Sequence, residues 1–317
     1  MIAFLIRRLI GAFLVLIAVS FITYLIFIKI PGGDPAVRIA GRTATDANIA
    51  DIRQKLNLDD PFYYQYWGMM KSLFTANLVS YSSQLNVVDQ IVSGIPATFS
   101  LCIGAAIIWL FFGTLVGVVS AVYAGRTSDR VITVLALIGI SLPVFWLGLV
   151  MRYLFAQDHP FRFLPDGGYV PLTSNPWGWF THLLMPWGAL AVLFIGFYGR
   201  VLRSNILDTI NEDYVRTAKA KGLPWRRVLI KHVLRNSMIP IVTLFGLDFA
   251  AVLGGSAILT ETVFDLKGVG WYAAQSVGDL DLPPIMAVTI YATFFIVVFS
   301  VVVDLLYAWL DPRIRPS

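Results

Sequence analysis

The sequence predicts an all-α protein whose six helices span a membrane. Of its 317 residues, 57% are hydrophobic and 14% are charged, whereas about a quarter are charged in an ordinary globular domain. Six apolar stretches are each near the roughly 20 residues that a helix needs to cross a bilayer. The connecting loops differ in charge between the two sides of the predicted membrane. These observations favour a multi-pass membrane protein over a soluble one.

The first predicted span runs from about Leu9 to Ile30 and follows Arg7 and Arg8. A signal peptide also begins with positive charge, but its apolar region is only about 7–15 residues long and ends at a small-residue cleavage site. This stretch is longer and ends at Pro31. We therefore expect an uncleaved helix, with cleavage as the alternative.

A polar segment from Pro31 to about Pro96 follows the first span. Its sequence DANIADIRQKLNLDDPFYYQYWGMMKSLF predicts two short helices that break at Pro61, each with an aspartate available as N-cap. Aromatic side chains in the second helix suit the boundary between water and lipid, with a docking surface for a partner as the alternative. They are Tyr63, Tyr64, Tyr66 and Trp67.

Five further apolar stretches complete the predicted bundle. They run approximately over Thr98–Tyr123, Val131–Phe155, Leu183–Leu202, Met238–Leu259 and Ile285–Trp309. Gly113 and Gly117 form a GxxxG pattern that allows close contact between helices. Pro143 is expected to kink the third span because it lacks a backbone donor.

Charge sets the predicted orientation. With six spans, both termini and the loop between spans four and five share one side. That side carries 15 of the 24 basic residues and 5 of the 19 acidic ones. The positive-inside rule therefore predicts cytoplasmic termini. The net charge of +5 follows from this arrangement, so it does not indicate a nucleic-acid partner.

The sequence lacks the motifs of common catalytic and metal sites. It has no GxxxxGK[ST] loop to cradle the phosphates of ATP, no HExxH and no nucleophile elbow. His159, His182 and His232 are scattered, which argues against a metal site. Cys102 is the only cysteine, and we expect it to pack as a small apolar side chain. We therefore predict that the chain is not itself an enzyme.

The stretch from Tyr214 to Pro240 is the one long basic run in the chain. It reads YVRTAKAKGLPWRRVLIKHVLRNSMIP, with Gly222 and Pro224 interrupting it midway. Glycine tolerates positive φ, and proline sets a turn or opens a new helix. The pattern predicts a helix, a sharp turn and a second helix. A polybasic segment that touches anionic lipid is the alternative.

This loop resembles that of binding-protein-dependent ABC importer permeases. Their pattern is Glu-Ala-Ala, three residues, Gly, nine residues, Ile-x-Leu-Pro. When it is aligned on Gly222, Ala218 and Leu234 also match. The departures are Arg216, Thr217, His232 and Arg235.

Other parts of the chain resemble one branch of that family, which carries dipeptides, oligopeptides and nickel. YVRTAKAKGL followed by HVLRN is similar to the branch, as are PGGDPA after the first span, TETVFD in the last outer loop and VDLLYAWLDPR at the end. The polar segment after the first span is a feature of the first, or B-type, subunit. The resemblance covers essentially the whole chain.

The resemblance implies a type I importer permease in a bacterial or archaeal plasma membrane. The chain would form half of a pathway for peptides. Its implied partners are a second, C-type permease, one or two ATPase subunits that bind ATP and magnesium, and an extracytoplasmic binding protein. Nickel chelates, glutathione or oligosaccharides are alternative cargoes. An ATP-independent channel or secondary transporter is the alternative of a different class.

The resemblance also assigns candidate sites and two regions. The first region, 1–96, comprises the first span and the extracytoplasmic segment; the second, 97–317, is the permease domain with a cytoplasmic coupling loop at 204–237. The residues expected to couple to the ATPase form one continuous run. They are Tyr214, Arg216, Thr217, Ala218, Lys219, Ala220, Lys221, Gly222 and Leu223.

Asp248, Asp304 and Arg152 fall inside predicted spans, where charge is costly. Asp248 lies near the middle of the fifth span and is a candidate for the substrate path, where it would meet a peptide's amino terminus. A hydrogen-bonded contact between helices is the alternative. We expect Asp304 to pair with a nearby arginine. Arg152 has no partner that the sequence identifies.

Overall fold

The computed structural model describes residues 2–29, 35–40, 45–55, 58–156 and 163–310. Within these ranges the chain is helical, with isolated β-bridges between Val79 and Asn86 and between Ala156 and Leu164 but no strand. The all-α prediction is confirmed.

Five of the described helices are long and apolar enough to cross a membrane, and the number of spans is six if a bent pair of helices counts as one span. Four of them are single long helices: α1 (Ile2–Lys29), α5 (Val87–Val122), α8 (Pro176–Thr209) and α15 (Leu282–Leu310). The fifth span is α12 (Ile239–Ala251), continued by a π-helical turn over Val252–Ser256. The last span is α15. All helices are numbered in chain order.

The third predicted span is two helices at an angle of 100°. They are α6 (Thr127–Ser141) and α7 (Val144–Phe155). Leu142 between them is extended, with ψ of 127°, because the ring of Pro143 disfavours helical backbone at the preceding residue. The kink predicted at Pro143 is confirmed and is a sharp bend.

The starts of the second and fourth spans were predicted too late in the chain. The side chain of Asn86 accepts hydrogen bonds from the amides of Val88 (2.9 Å) and Asp89 (3.2 Å), so α5 begins at Val87 and contains Pro96. Asn175 accepts from the Gly178 amide at 2.9 Å and caps α8. Both asparagines satisfy amides that the first helical turn leaves free.

The polar segment contains α2 (Pro35–Ala40), α3 (Asp46–Lys55) and α4 (Phe62–Phe74). The helix break at Pro61 is confirmed, but the predicted aspartate caps are wrong. The hydroxyl of Thr45 accepts a hydrogen bond from the amide of Asn48 and so caps α3. Pro61 precedes α4, which has no side-chain cap. Proline suits this position because its missing N–H would have no partner there.

Tyr66 does not belong to an interfacial belt, contrary to the prediction. It is 4% exposed, and its hydroxyl lies 2.8 Å from that of Ser20 on α1. Tyr63, Tyr64 and Trp67 on the same helix are exposed. One face of α4 therefore packs on the first span, and the other faces outward.

The centre of the bundle is the contact between α5 and α8. A Cβ atom at Gly113 would lie 2.9 Å from the Cβ of Tyr198, and one at Gly117 would lie 2.8 Å from that of Leu202. The close contact predicted from GxxxG is therefore present. Cys102 is fully buried in this core.

Two short helices follow the fifth span, α13 (Ile258–Val263) and α14 (Val269–Gly278). The basic loop before that span contains another, α9 (Asp213–Ala220). The α9 end of the bundle also holds the α5–α6 turn and the ion pair of Arg8 with Asp304. That pair confirms the partner expected for Asp304. We call the opposite end, which holds α4, α13 and α14, the α14 end.

Candidate functional site

The basic loop folds as a helix, a turn and a second helix, as the sequence predicts. After α9 and the turn at Lys221–Pro224 comes α10 (Trp225–Val228). A π-helical stretch over Leu229–Leu234 and α11 (Arg235–Ser237) continue it to the start of α12. The loop is thus continuous with the fifth span.

Gly222 ends α9 with a left-handed backbone, at φ of +74°. Its amide donates to the Lys219 carbonyl at 2.9 Å, and the Leu223 amide donates to the Ala218 carbonyl at 3.4 Å. These two bonds are those of a Schellman motif. A Cβ at Gly222 would meet nothing within 4 Å. Glycine is therefore favoured here by the backbone conformation and not by a lack of space.

The helix α9 has an inward and an outward face. Val215 and Ala218 are 0% and 6% exposed and pack into the main core of the chain. Arg216, Thr217 and Lys219 are exposed. A small residue at Ala218 therefore serves contact with this chain's own bundle. The outward face, which also includes Ala220, is what another molecule can touch.

Hydrogen bonds fasten the loop to the end of α8. The hydroxyl of Ser237 donates to the carbonyl of Asn205 at 3.2 Å and lies 3.1 Å from the hydroxyl of Thr209. Within the loop, the amide side chain of Asn236 on α11 donates to the hydroxyl of Tyr214 on α9 at 2.7 Å. The loop is therefore bonded to α8 and continuous with α12, which links α9 to both spans.

Asp129 holds the neighbouring α5–α6 turn against α8. Its buried carboxylate accepts from two nitrogens of Arg203, each at 2.8 Å, and from the Gly125 amide at 2.9 Å. The hydroxyl of Ser120 donates to it as well. This two-pronged arginine–carboxylate pair is a strong, directional contact. Nothing in the sequence pattern distinguished Asp129 beforehand.

The charge on the basic loop is directed outward. The exposed cations of the second helix and turn are Lys221, Arg226, Arg227, Lys231 and Arg235. Among the described residues, the only ion pair in the loop joins Arg216 to Asp213 at 3.6 Å, with both side chains exposed. The ammonium of Lys219 lies 5.0 Å from the centre of the Trp225 ring. The loop is thus a positively charged surface with few internal partners.

Asp248 bonds to a neighbouring helix. The hydroxyl of Tyr198 on α8 donates to its carboxylate at 2.7 Å. It does not line the large cavity described below. The structure therefore contains the helix contact that the sequence analysis gave as the alternative to a substrate-path role.

A cavity of about 1070 Å³ opens between α5 and α8 at the α14 end. Its walls are mainly apolar, and three polar side chains in them, those of Tyr169, Trp179 and Trp187, contact Ser100. The indole N–H of Trp179 donates to the hydroxyl of Ser100 at 3.0 Å, and that of Trp187 donates to the Ser100 carbonyl at 2.9 Å. The volume is at the upper end of the roughly 300–1,000 Å³ that is usual for small-molecule sites.

Glu261 joins three helices at the α14 end. Its buried carboxylate accepts from the hydroxyl of Thr98 on α5 at 2.7 Å and from the Trp271 amide of α14 at 2.9 Å. Thr98 in turn accepts from the Val269 amide at 2.9 Å. Burial raises the pKa of Glu261 to about 6, although these hydrogen bonds oppose the rise.

Two further carboxylates, of Asp281 and Asp166, hold the same end together. Asp281 is buried and accepts four hydrogen bonds, from the hydroxyls of Ser80 and Ser82 and from the amides of Tyr81 (3.0 Å) and Ser82 (3.1 Å). Arg152 donates to Asp166 at 2.7 and 3.1 Å. The partner that the sequence did not identify for Arg152 is therefore Asp166.

The described residues contain no cluster of three histidine, cysteine, aspartate or glutamate side chains that could hold a metal ion. The ring of His182 is 2.8 Å from the Gly167 carbonyl. His159 lies outside the described residues.

Comparison with known families covers nearly the whole chain. The family described as "Binding-protein-dependent transport system inner membrane component" matches residues 113–316. A companion family, the N-terminal part of such membrane components, matches residues 1–102.

Similar proteins are named as transport permeases. The probable D,D-dipeptide transport system permease protein DdpB of Escherichia coli is 37% identical, over 96% of this chain and 95% of that protein. The dipeptide transport system permease protein DppB of Alkalihalophilus pseudofirmus is 35% identical, over 99% of this chain and all of that protein. The glutathione transport system permease protein GsiC of Salmonella choleraesuis is 36% identical, over 99% of both.

Proposed function

The chain belongs to the family of binding-protein-dependent transport system inner membrane components, and we propose that it forms one half of the transmembrane pathway of an ATP-driven peptide importer. It is a multi-pass membrane permease of the ABC transporter class. The proposal concerns its cargo, its partners, its orientation and the way in which it is driven.

The observation that carries this proposal is the geometry of α9. The helix is anchored by Val215 and Ala218 on its inner face, while Arg216, Thr217 and Lys219 are exposed on its outer face. A short helix fixed on one side and exposed on the other fits a groove on a second protein. We propose that this second protein is an ATPase subunit.

Closure of two ATPase subunits would then move α9. A helix is stiff, and the Schellman turn at Gly222 joins α9 firmly to α10. Ser237 passes the movement to α8, and the continuous backbone passes it to α12. Rigid-body movement of these spans would open the pathway to one side of the membrane and then to the other.

Energy for this movement would come from other subunits. The sequence has no glycine-rich phosphate loop, so we assign ATP and magnesium to one or two separate ATPase subunits. A C-type permease would supply the other half of the pathway, and a binding protein outside the cell would deliver the cargo. The two regions 1–96 and 97–317 would serve as the outer segment with the first span and as the permease domain.

The proposed orientation places α9 and both termini in the cytoplasm of a bacterial or archaeal cell. It is supported by the concentration of basic residues at the α9 end. A plasma-membrane location is supported by the family's description as an inner membrane component. The α14 end, with α4, would face the binding protein.

Peptides are the proposed cargo. The similar proteins named above are permeases for D,D-dipeptides, dipeptides and glutathione, which are all short peptides. Nickel chelates and oligosaccharides remain the alternative cargoes of such importers.

Reconstitution tests the proposal. The chain, co-expressed with its neighbouring permease and ATPase genes, is purified and placed in vesicles that contain ATP. We expect the ATPase to co-purify, and we expect dipeptide uptake that requires ATP and the binding protein. Uptake without any ATPase would show an ATP-independent channel or secondary transporter instead.

Asp248 is a proposed group of the substrate path. Its carboxylate accepts a hydrogen bond from Tyr198 but remains partly exposed near the middle of a span, where an acidic group is costly. We expect Asp248→Asn to lower dipeptide uptake by about tenfold and to leave uptake of peptides with a blocked amino terminus unchanged. Equal uptake of every peptide tested by both proteins would remove Asp248 from the path.

A further inference from the structure

A second groove lies toward the α14 end, where α4 meets the spans. It has a volume of about 480 Å³ and is bounded by α1, α4, α15 and the start of α5. Its lining is almost wholly apolar, with two tyrosine hydroxyls and the indole N–H of Trp67 as its polar side-chain groups. The lining residues include Phe13, Ile17, Trp67, Phe74, Ile290 and Phe294.

The floor of this groove lies at the depth of lipid hydrocarbon. Phe13 and Ile17 fall within the apolar span of α1, and Ile290 and Phe294 fall within that of α15. Along α15, Phe294 is about 18 Å from Leu282, which is close to the roughly 15 Å thickness of one hydrocarbon leaflet. The groove thus runs from the α14 end to about the middle of the membrane.

The rim of the groove is formed by α4, which has the composition of an interfacial helix. Its outward face carries Tyr64, Trp67, Lys71 and Phe74, which follow one another at spacings of three and four residues. Trp67 and Phe74 are 62% and 78% exposed, and Lys71 is also exposed. Aromatic rings and a lysine on one face suit the level of the lipid headgroups.

We propose that this groove binds one acyl chain of a phospholipid whose anionic headgroup lies beside Lys71. The apolar floor matches an acyl chain in chemistry and in depth, and Lys71 supplies the charge that complements a phosphate. Another protein subunit is the alternative occupant, since within this chain the described contacts of α1 are mainly with α15. The groove there opens between two spans toward the surrounding membrane.

The bound lipid would brace the outer segment against the spans. On its inner side α4 is held to α1 by the contact of Tyr66 with Ser20 and by the buried cluster that contains Met69, Met70 and Tyr24. The acyl chain would fill the remaining space between α4, α1 and α15. It thereby adds apolar contact where the chain itself leaves a gap.

Native mass spectrometry of the full chain, purified in mild detergent with the subunits that accompany it, tests this proposal. We expect the wild type to retain one phospholipid after extensive washing. Ile290→Trp fills the groove, and we expect it to lower the retained fraction by about tenfold. Val134→Trp adds the same side chain at an exposed site on α6 and should leave retention unchanged. No retained lipid in the wild type, or equal loss in both variants, would overturn the proposal.

A second measurement does not depend on filling the groove. In vesicles of mixed phosphatidylglycerol and phosphatidylethanolamine, Lys71→Glu should reduce the preference for retained phosphatidylglycerol by about fivefold. An unchanged preference would contradict the headgroup position. Phe294→Cys tests whether another protein subunit occupies the groove instead. Phe294 is 49% exposed, so a cysteine there can react with a covering subunit. Efficient cross-linking of that cysteine to another permease subunit would show that protein covers the groove, and would overturn the proposal.

Discussion

The α14 end and the α9 end of the bundle use their charged groups differently. At the α14 end, Glu261 and Asp281 are buried, and their oxygens accept hydrogen bonds from the chain itself. At the α9 end, Asp129 is likewise buried and accepts hydrogen bonds from the chain. The cations of the basic loop, however, are exposed. One end is closed by its own contacts, whereas the other leaves its positive charge exposed.

This difference indicates where each end gains its rigidity. A buried carboxylate with several donors fixes the elements around it, because leaving those donors unpaired is costly. An exposed ion pair contributes little. The α14 end should therefore be stable in the isolated chain. The outer face of α9, in contrast, should gain stabilising contacts only when another subunit covers it.

The largest expected effect is at Asp281. Asp281→Asn replaces an acceptor oxygen by an NH₂ group that faces other donors, so we expect a loss of about 3 kcal/mol in unfolding free energy. The thermal unfolding midpoint of the detergent-solubilised protein measures this change.

Asp213→Asn is the matched control at the other end. The side chain of Asp213 is 98% exposed, and its contact with Arg216 is 3.6 Å long. We expect a change below about 0.5 kcal/mol. If the two variants shifted the midpoint equally, the contrast between a self-closed end and an open end would be wrong.

Glu261 gives the next largest effect, as a dependence on pH. Its pKa is raised from 4.5 to about 6 in the folded protein, so the folded state binds the proton more tightly than the unfolded state. The resulting stabilisation is fully present below about pH 4.5 and is lost as pH rises through about 6. It amounts to about 2 kcal/mol.

Comparison with Glu261→Gln isolates this contribution. We expect the variant to be less stable, because an amide leaves a donor of Thr98 or α14 poorly paired, and to lack this part of the pH dependence. Unfolding midpoints at pH 4.5 to 7.5 measure both. Parallel curves for the two proteins would mean that Glu261 does not titrate in this range.

A smaller effect on folding, but a specific one on function, is expected at Gly222. Valine at a φ of +74° costs about 1–2 kcal/mol and weakens the turn that joins α9 to α10. We expect Gly222→Val to insert normally and to lower transport-coupled ATP turnover by about tenfold. Gly168→Val imposes similar strain at the α14 end, at φ of +82° and with open space around it, and should leave coupling intact. Normal coupling in Gly222→Val would count against the role of the turn.

Hydrophobic length and turn residues were enough to predict much of the fold. Apolar runs located the spans, Pro143 located the bend, and Gly222 with Pro224 located the turn of the basic loop. These features are local, because each depends on one residue's backbone preference or on a continuous run of side chains.

Features that depend on contacts between distant residues were not predictable in the same way. Glu261 and Asp281 were visible only as acids in an outer loop, since their donors come from α5 and from residues about 200 positions away. The inward position of Ala218 also required the neighbouring helices. Asn86 and Asn175 are exceptions, because their capping signal was in the sequence and would have corrected both span starts.

Disulfide or bifunctional cross-linking of α9 to the ATPase tests the central claim most directly. The native cysteine, Cys102, is buried, so an introduced cysteine is the reactive one. We predict that Thr217→Cys, on the outer face of α9, cross-links to the ATPase subunit in a nucleotide-dependent manner. We also predict that Ala218→Cys, on the inner face, does not. Absence of cross-linking from Thr217→Cys, or equal yields from both positions, would contradict the account.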